Sequence, residues 1–128
     1  MNRVFIPAAL VVLGAVASAV LTDGAWAAKP IALHARTSGE LAELCGANPK
    51  DPAADAKINY CHGFAQAAVD LELQHAGDKK PFCFPSPTPS RSATLGEFVG
   101  WVRAMPDHRT LPAAEGLFKF LAERFPCK

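Results

Sequence analysis

The sequence has almost no surplus of charge: 13 Lys+Arg stand against 12 Asp+Glu, a net charge of +1 over 128 residues. A nucleic-acid binder needs a basic face to neutralise phosphates, and a disordered acidic or basic tail needs an excess of one sign. The balance argues against both classes. No Cys-x-x-Cys pair occurs, which removes thioredoxin-like redox chemistry and the usual zinc spacing. The run Ile58-Asn59-Tyr60-Cys61-His62 has Ile where the first Cys of a c-type haem motif belongs. There is no glycine-rich phosphate loop, and the β-branched alternation of strands appears nowhere. What is left has the length of one compact domain.

The first 27 residues have a different character. Arg3 supplies a short positive region, and Val4 to Leu21 is an uncharged apolar stretch. Ala25-Trp26-Ala27 then offers the small-x-small pattern of a signal-peptidase site, with cleavage between Ala27 and Ala28. The stretch approaches membrane-spanning length, so an uncleaved anchor is the competing reading. Its Ala-rich, moderately hydrophobic content followed by Ala-x-Ala favours a cleaved signal peptide and export. Residues 28–37 carry no periodicity and form a flexible lead-in to a domain over 38–127.

All four cysteines, Cys45, Cys61, Cys83 and Cys127, fall after the signal. An even number in a small exported domain implies a disulfide framework, for which three pairings are possible. Local helix geometry favours one of them. Cys45 ends a short helical segment and Cys61 lies within the next, so a staple between helices is easily built. Cys83, in a Pro-rich loop, is then left for Cys127 near the C-terminus. The loops closed are worth about 3 and 4 kcal/mol in the chain-entropy model.

Helical signals recur along the remainder. Thr37-Ser38-Gly39-Glu40 fits a capping box, opening a short helix that ends near Gly46. Asp51-Pro52 supplies an N-cap and a first-turn proline for a long helix to about Gln74, with Gly77 as its stop. Ile58, Cys61, Ala65, Ala68, Val69 and Glu72 form one stripe along it, and Tyr60, Phe64, Ala67 and Leu71 an adjacent one. From Asp78 to Ser92 four prolines exclude regular helix, while Phe82 and Phe84 beside Cys83 suggest a loop pinned to the core. Thr94-Leu95-Gly96-Glu97 looks like a second capping box, opening a third helix with Leu95, Phe98, Val99, Val102 and Met105 inward. After Pro106 and the polar turn Asp107-His108-Arg109-Thr110, a last helix starts near Pro112 and buries Ala114, Leu117, Phe118, Leu121 and Phe125. The expected fold is all-α: a small disulfide-stapled bundle of four to five helices.

Catalytic constellations are thin. No Ser or Cys is placed by motif as a nucleophile, and the histidines read as surface or helix-end residues. Asp70 and Glu72, two positions apart on a helix, cannot face one another as a carboxylate pair. No metal and no cofactor is expected. Trp101 falls beside the main stripe of the third helix, where it either widens the core or anchors a partner, Trp and Arg being enriched at interface hot spots.

Taken in order, these features resemble the Rap/Tai family of periplasmic immunity proteins. The resemblance runs over about 38–127 and rests on Tyr60-Cys61-His62-Gly63-Phe64 in a long helix, Phe82-Cys83-Phe84-Pro85 in a loop, and the closing Phe125-Pro126-Cys127. It implies a secreted, non-enzymatic helical protein, often a homodimer, that binds a peptidoglycan amidase delivered by type VI secretion and blocks its active-site cleft. In such relatives an exposed loop between helices does the inserting. The comparable segment here is Asp107-His108-Arg109, with Trp101 nearby, and these four residues are the expected partner contacts. A periplasmic acid-stress chaperone of the Hde type is the alternative, since it too would be exported, helical and disulfide-bonded; it would expose apolar surface in acid.

Overall fold

The computed structural model describes residues 30–128, and the expected signal segment, with Ala27 and Ala28 at its cleavage point, lies outside the described residues. Five helices follow: α1 (Ser38–Cys45), α2 (Ala54–Ala76), α3 (Arg91–Ala104), α4 (Pro106–Thr110) and α5 (Ala113–Arg124). No strand occurs among the described residues, where the one sheet-like feature is an isolated bridge between Thr37 and Pro112. The fold is all-α.

Each helix starts for a local reason. At α1 the capping box forms: Thr37 Oγ1 accepts from the Glu40 amide at 3.2 Å, and the Glu40 carboxylate reaches back to the amides of Arg36 (2.6 Å) and Thr37 (3.4 Å). Asp51 does not cap α2 as expected. Its carboxylate accepts from the Ala53 amide at 2.9 Å and pairs with Lys57 at 2.5 Å, closing a separate turn, so that α2 begins only at Ala54. At the far end Gly77 takes φ 57, a left-handed conformation that favours glycine, and stops the helix. α3 starts one turn before its expected box. Ser90 is the cap, its hydroxyl accepting from Ala93 N at 3.1 Å, and Thr94 is an interior residue whose Oγ1 donates back to Ser90 O. Glu97 is thereby freed from capping and pairs with Arg124 of α5 at 2.5 Å.

The core is built from Leu41 and Leu44 of α1, Cys61 and Ala65 of α2, Leu95, Phe98, Val99 and Val102 of α3, and Leu117, Phe120 and Leu121 of α5. The inward face of α5 is turned from the expected one: Gly116 and Phe120 are buried, and Ala114 and Phe118 only half so. Gly116 is required there because a Cβ on it would lie 1.8 Å from Ser38 Oγ. That close approach lets Ser38 N donate to Leu111 O (2.8 Å) and Ala113 N donate to Arg36 O (3.0 Å), so α1 and α5 are sewn together at their starts. Met105 also departs from expectation. It lies beyond the end of α3 in extended conformation and is 51% exposed.

Two disulfides complete the frame. Cys45–Cys61 joins the end of α1 to the middle of α2, and Cys83–Cys127 joins the Pro-rich loop to the C-terminus. The loop is held at the same place by Cys83 N donating to Phe125 O at 2.8 Å, by the fully buried Phe82, and by Phe84 against the Phe125 ring.

Candidate functional site

The four residues singled out as partner contacts meet at one end of the bundle. α4 is a single helical turn, which starts with Pro106, where a missing amide donor costs nothing. Asp107 and Arg109 are exposed, whereas His108 and Trp101 are half-buried behind them. The His108 ring lies flat on the Trp101 indole, with centroids 3.6 Å apart and planes 9° from parallel. Its Nδ1 is 2.8 Å from Trp101 O, an acceptor, which requires the proton on Nδ1 and leaves Nε2 free. Trp101 is fixed in turn: Nε1 donates to Glu123 at 2.7 Å, and the indole packs on Phe98 and Phe120. Arg109 donates to Glu43 of α1 at 2.9 Å, and its backbone rests on Gly39, where a Cβ would come within 3.1 Å of Arg109 O. The sequence alternatives for Trp101, core or surface, thus merge. Its body extends the core, and its outer face carries His108.

The tip of this turn displays Met105, Pro106, Asp107, Arg109 and Thr110, all exposed. Sequence reasoning assigned Met105 to the core, because it continued the i, i+3, i+4 series of α3. The helix ends one residue too early for that. The seat of α4 on Gly39, and the close approach of Gly116 to Ser38 and Leu111 just after it, carried no sequence signal beyond two glycines and a serine.

Several other polar residues serve caps, turns and ion pairs. Glu40 has its carboxyl lowered from the usual range, chiefly by the hydrogen bond from the Arg36 backbone amide. Asp51 is lowered by its hydrogen bond with Lys57, then by the Ala53 amide. Glu97 is lowered and Arg124 raised by their mutual hydrogen bond. Each shift belongs to a cap, to the turn before α2 or to the Glu97–Arg124 pair, and none belongs to a cluster in a cleft. Asp70 accepts from Gln66, its neighbour one turn back. Among the described residues no group of His, Cys, Asp and Glu could hold a metal ion, and no helix is long and apolar enough to cross a membrane.

A second surface feature lies along α2. Only Ala54, Cys61 and Ala65 of its 23 residues are buried. The adjacent stripe identified in the sequence splits: Tyr60 and Phe64 are half-buried, while Ala67 and Leu71 are exposed, Leu71 at 66%. From Tyr60 through Gly63, Phe64 and Ala67 to Leu71 this flank carries no charged residue, and Gly63 faces open space.

Fold and surface together define a small, stapled helical domain whose prominent feature is a braced, exposed turn. The sequence profile of the Rap1a immunity proteins matches residues 37–127, well over half of the chain, and the chain belongs to that family. Membership makes it an immunity protein of the type VI effector class, whose members bind a cognate effector toxin, are generally non-enzymatic and typically act in the periplasm. No curated protein and no solved structure matches the chain.

Proposed function

We propose that this protein is exported through its N-terminal signal, folds in the oxidising periplasm, and neutralises a peptidoglycan amidase by seating α4 in the enzyme's cleft. The observation that carries the reading is the construction of α4. A five-residue helix has no stability of its own, yet this one is held by a ring stack, a side-chain-to-backbone hydrogen bond and an ion pair to α1. A surface element fixed before binding loses little conformational freedom on association, which is what a tight inhibitor requires. Asp107 and Arg109 make the outward contacts in this reading, and His108 and Trp101 hold them in position. The amidase as target rests on the resemblance to the Rap/Tai proteins.

The test is co-purification of the tagged protein with candidate amidases, followed by an assay of peptidoglycan hydrolysis. A stoichiometric complex without hydrolytic activity is expected, and Asp107→Lys or Arg109→Glu weakens it about tenfold or more. A tight complex indifferent to both substitutions would move the contact away from α4. A complex with effectors of other chemistry would remove the amidase while keeping the immunity role.

The uncharged flank of α2 supports a homodimer as part of the same reading. Gly63 and Ala67 allow a second helix to approach closely, and Tyr60, Phe64 and Leu71 give it apolar surface to cover. A Leu71→Glu variant is expected to elute as a monomer where the parent elutes as a dimer; a parent that is monomeric at high concentration would dispose of the dimer.

A further inference from the structure

A groove of about 370 Å³ opens where the second half of α2 parts from α3 and α5. Its accessible sides are the half-buried Val69 and Leu73 from α2 and Phe84 from the Pro-rich loop, over a closed floor of Ala65, Leu117 and Leu121. That volume lies within the range of about 300–1,000 Å³ typical of small-ligand sites, which are apolar with a few polar groups at fixed places. The groove occupies a different flank of α2 from the Tyr60–Leu71 stripe, and none of the α4 residues lines it.

The polar groups at its rim point to the ligand. Arg91 donates to Gln66 Oε1, and Gln66 Nε2 donates to both oxygens of Asp70 at 2.7 Å. Among the described residues Arg91 has no ion-pair partner, so a single side-chain amide spans a cation and a carboxylate. A peptide bond presents the same two functions, a carbonyl for Arg91 and an N–H for Asp70. A simple carboxylate would satisfy Arg91 but face Asp70, and an ammonium would meet the reverse conflict. An amide suits both ends of the rim.

We propose that this groove binds an extended peptide segment of a partner protein, one aliphatic side chain lying against Val69, Leu73 and Phe84. The adjoining backbone amide replaces the Gln66 amide between Arg91 and Asp70. The site is separate from the immunity reading and stands or falls without it. Gln66 acts as an internal competitor, occupying the rim until peptide displaces it.

The experiment is a titration of the purified, disulfide-bonded protein with N-acetyl-leucine methylamide, followed by amide chemical shifts. Saturable shifts at Ala65, Val69, Leu73 and Leu117 are expected, with the alanine analogue binding at least about tenfold more weakly for want of apolar burial. Gln66→Ala removes the competitor from an exposed helix position without threatening the fold. It is expected to tighten binding about threefold to tenfold, the worth of one exchanged hydrogen bond. Leu73→Trp, which fills the groove, is expected to abolish the shifts while circular dichroism stays unchanged. The proposal is overturned if neither the parent nor Gln66→Ala gives saturable shifts. It is equally overturned if Gln66→Ala leaves the affinity unchanged, or if octanoate or octylamine binds as tightly as the amide.

Discussion

α4 and the second half of α2 are both on the surface, and they are held there by opposite means. α4 has one turn of backbone hydrogen bonds and depends on its neighbours: Trp101 beneath His108, Glu43 against Arg109, and Gly39 under the Arg109 backbone. The second half of α2 has several turns of its own ladder and few tertiary anchors. Past Ala65 it has no buried residue. A short element can therefore be the more rigid of two if it is braced from several sides, because order comes from contacts whose entropy cost is shared by the folded core. The division suits the proposed roles. A polar, preorganised knob fits a rigid cleft, and a regular apolar flank fits another helix.

Cutting the staples tests the frame of both regions and carries the largest expected effect. Replacing Cys83 and Cys127 by Ala removes a link across 44 positions and should cost about 4 kcal/mol; doing the same to Cys45 and Cys61, 16 apart, should cost about 3. Denaturant titration measures both. The first change should also loosen Phe84 at the groove and leave α4 protected from hydrogen exchange; loss of protection at α4 would show the two regions to be one cooperative unit.

One substitution beside each region sharpens the contrast further. Gly116→Ala drives a methyl into Ser38 at the start of α1, beside Leu111 where α4 ends, and should destabilise by about 2 kcal/mol, with Ser38→Gly restoring much of the loss in the double variant. Gly63→Ala meets nothing on α2 and should stabilise by about 0.5–1 kcal/mol through helix propensity. Equal effects at the two sites would contradict the packing described.

Removing the brace itself is milder. His108→Ala should cost about 1 kcal/mol and raise amide exchange in Asp107–Thr110 while leaving α2 unaffected. If exchange in the turn stays unchanged, the ring stack does not order it.

The smallest effect is that of pH. Glu40, Asp51 and Glu97 are held below their ordinary values in the folded state. Their contribution is present in full above the ordinary carboxylate range and fades as pH falls through the lowered values. Tm should hold steady from neutral pH to about 5 and decline below about 4, with Glu40→Gln flattening part of the decline. A Tm that rises in acid would overturn the assignment of these three carboxylates.

Much of the architecture was legible because it is written in local chemistry. Thr37 and Glu40 are three apart and satisfy one another; Gly77 stops α2; the four prolines keep the segment out of helix from Pro81 to Pro89, although α3 already starts at Arg91. Elsewhere a local signal was overridden in the assembled chain. Thr94 reads as the cap of α3, yet it is packed at 8% exposure in the helix interior, and Ser90 caps the helix one turn earlier. Asp51 likewise serves a turn before α2, since Lys57 and the Ala53 amide take its carboxylate.

The candidate surface divides along the same line. Sequence alone determined the helical class, the balance of charge, the presence of four cysteines and the polar turn at Asp107–Arg109. It could not show that His108 would lie on Trp101, seven positions away, or that Glu123 and Glu43 would hold the two ends of that arrangement. It could not show the groove either, a space left between residues far apart in the chain. Caps and stops depend on hydrogen bonds within one turn, which a string of residues encodes directly. Stacks, seats and grooves depend on how whole helices cross, and that angle is set by every side chain in the core at once.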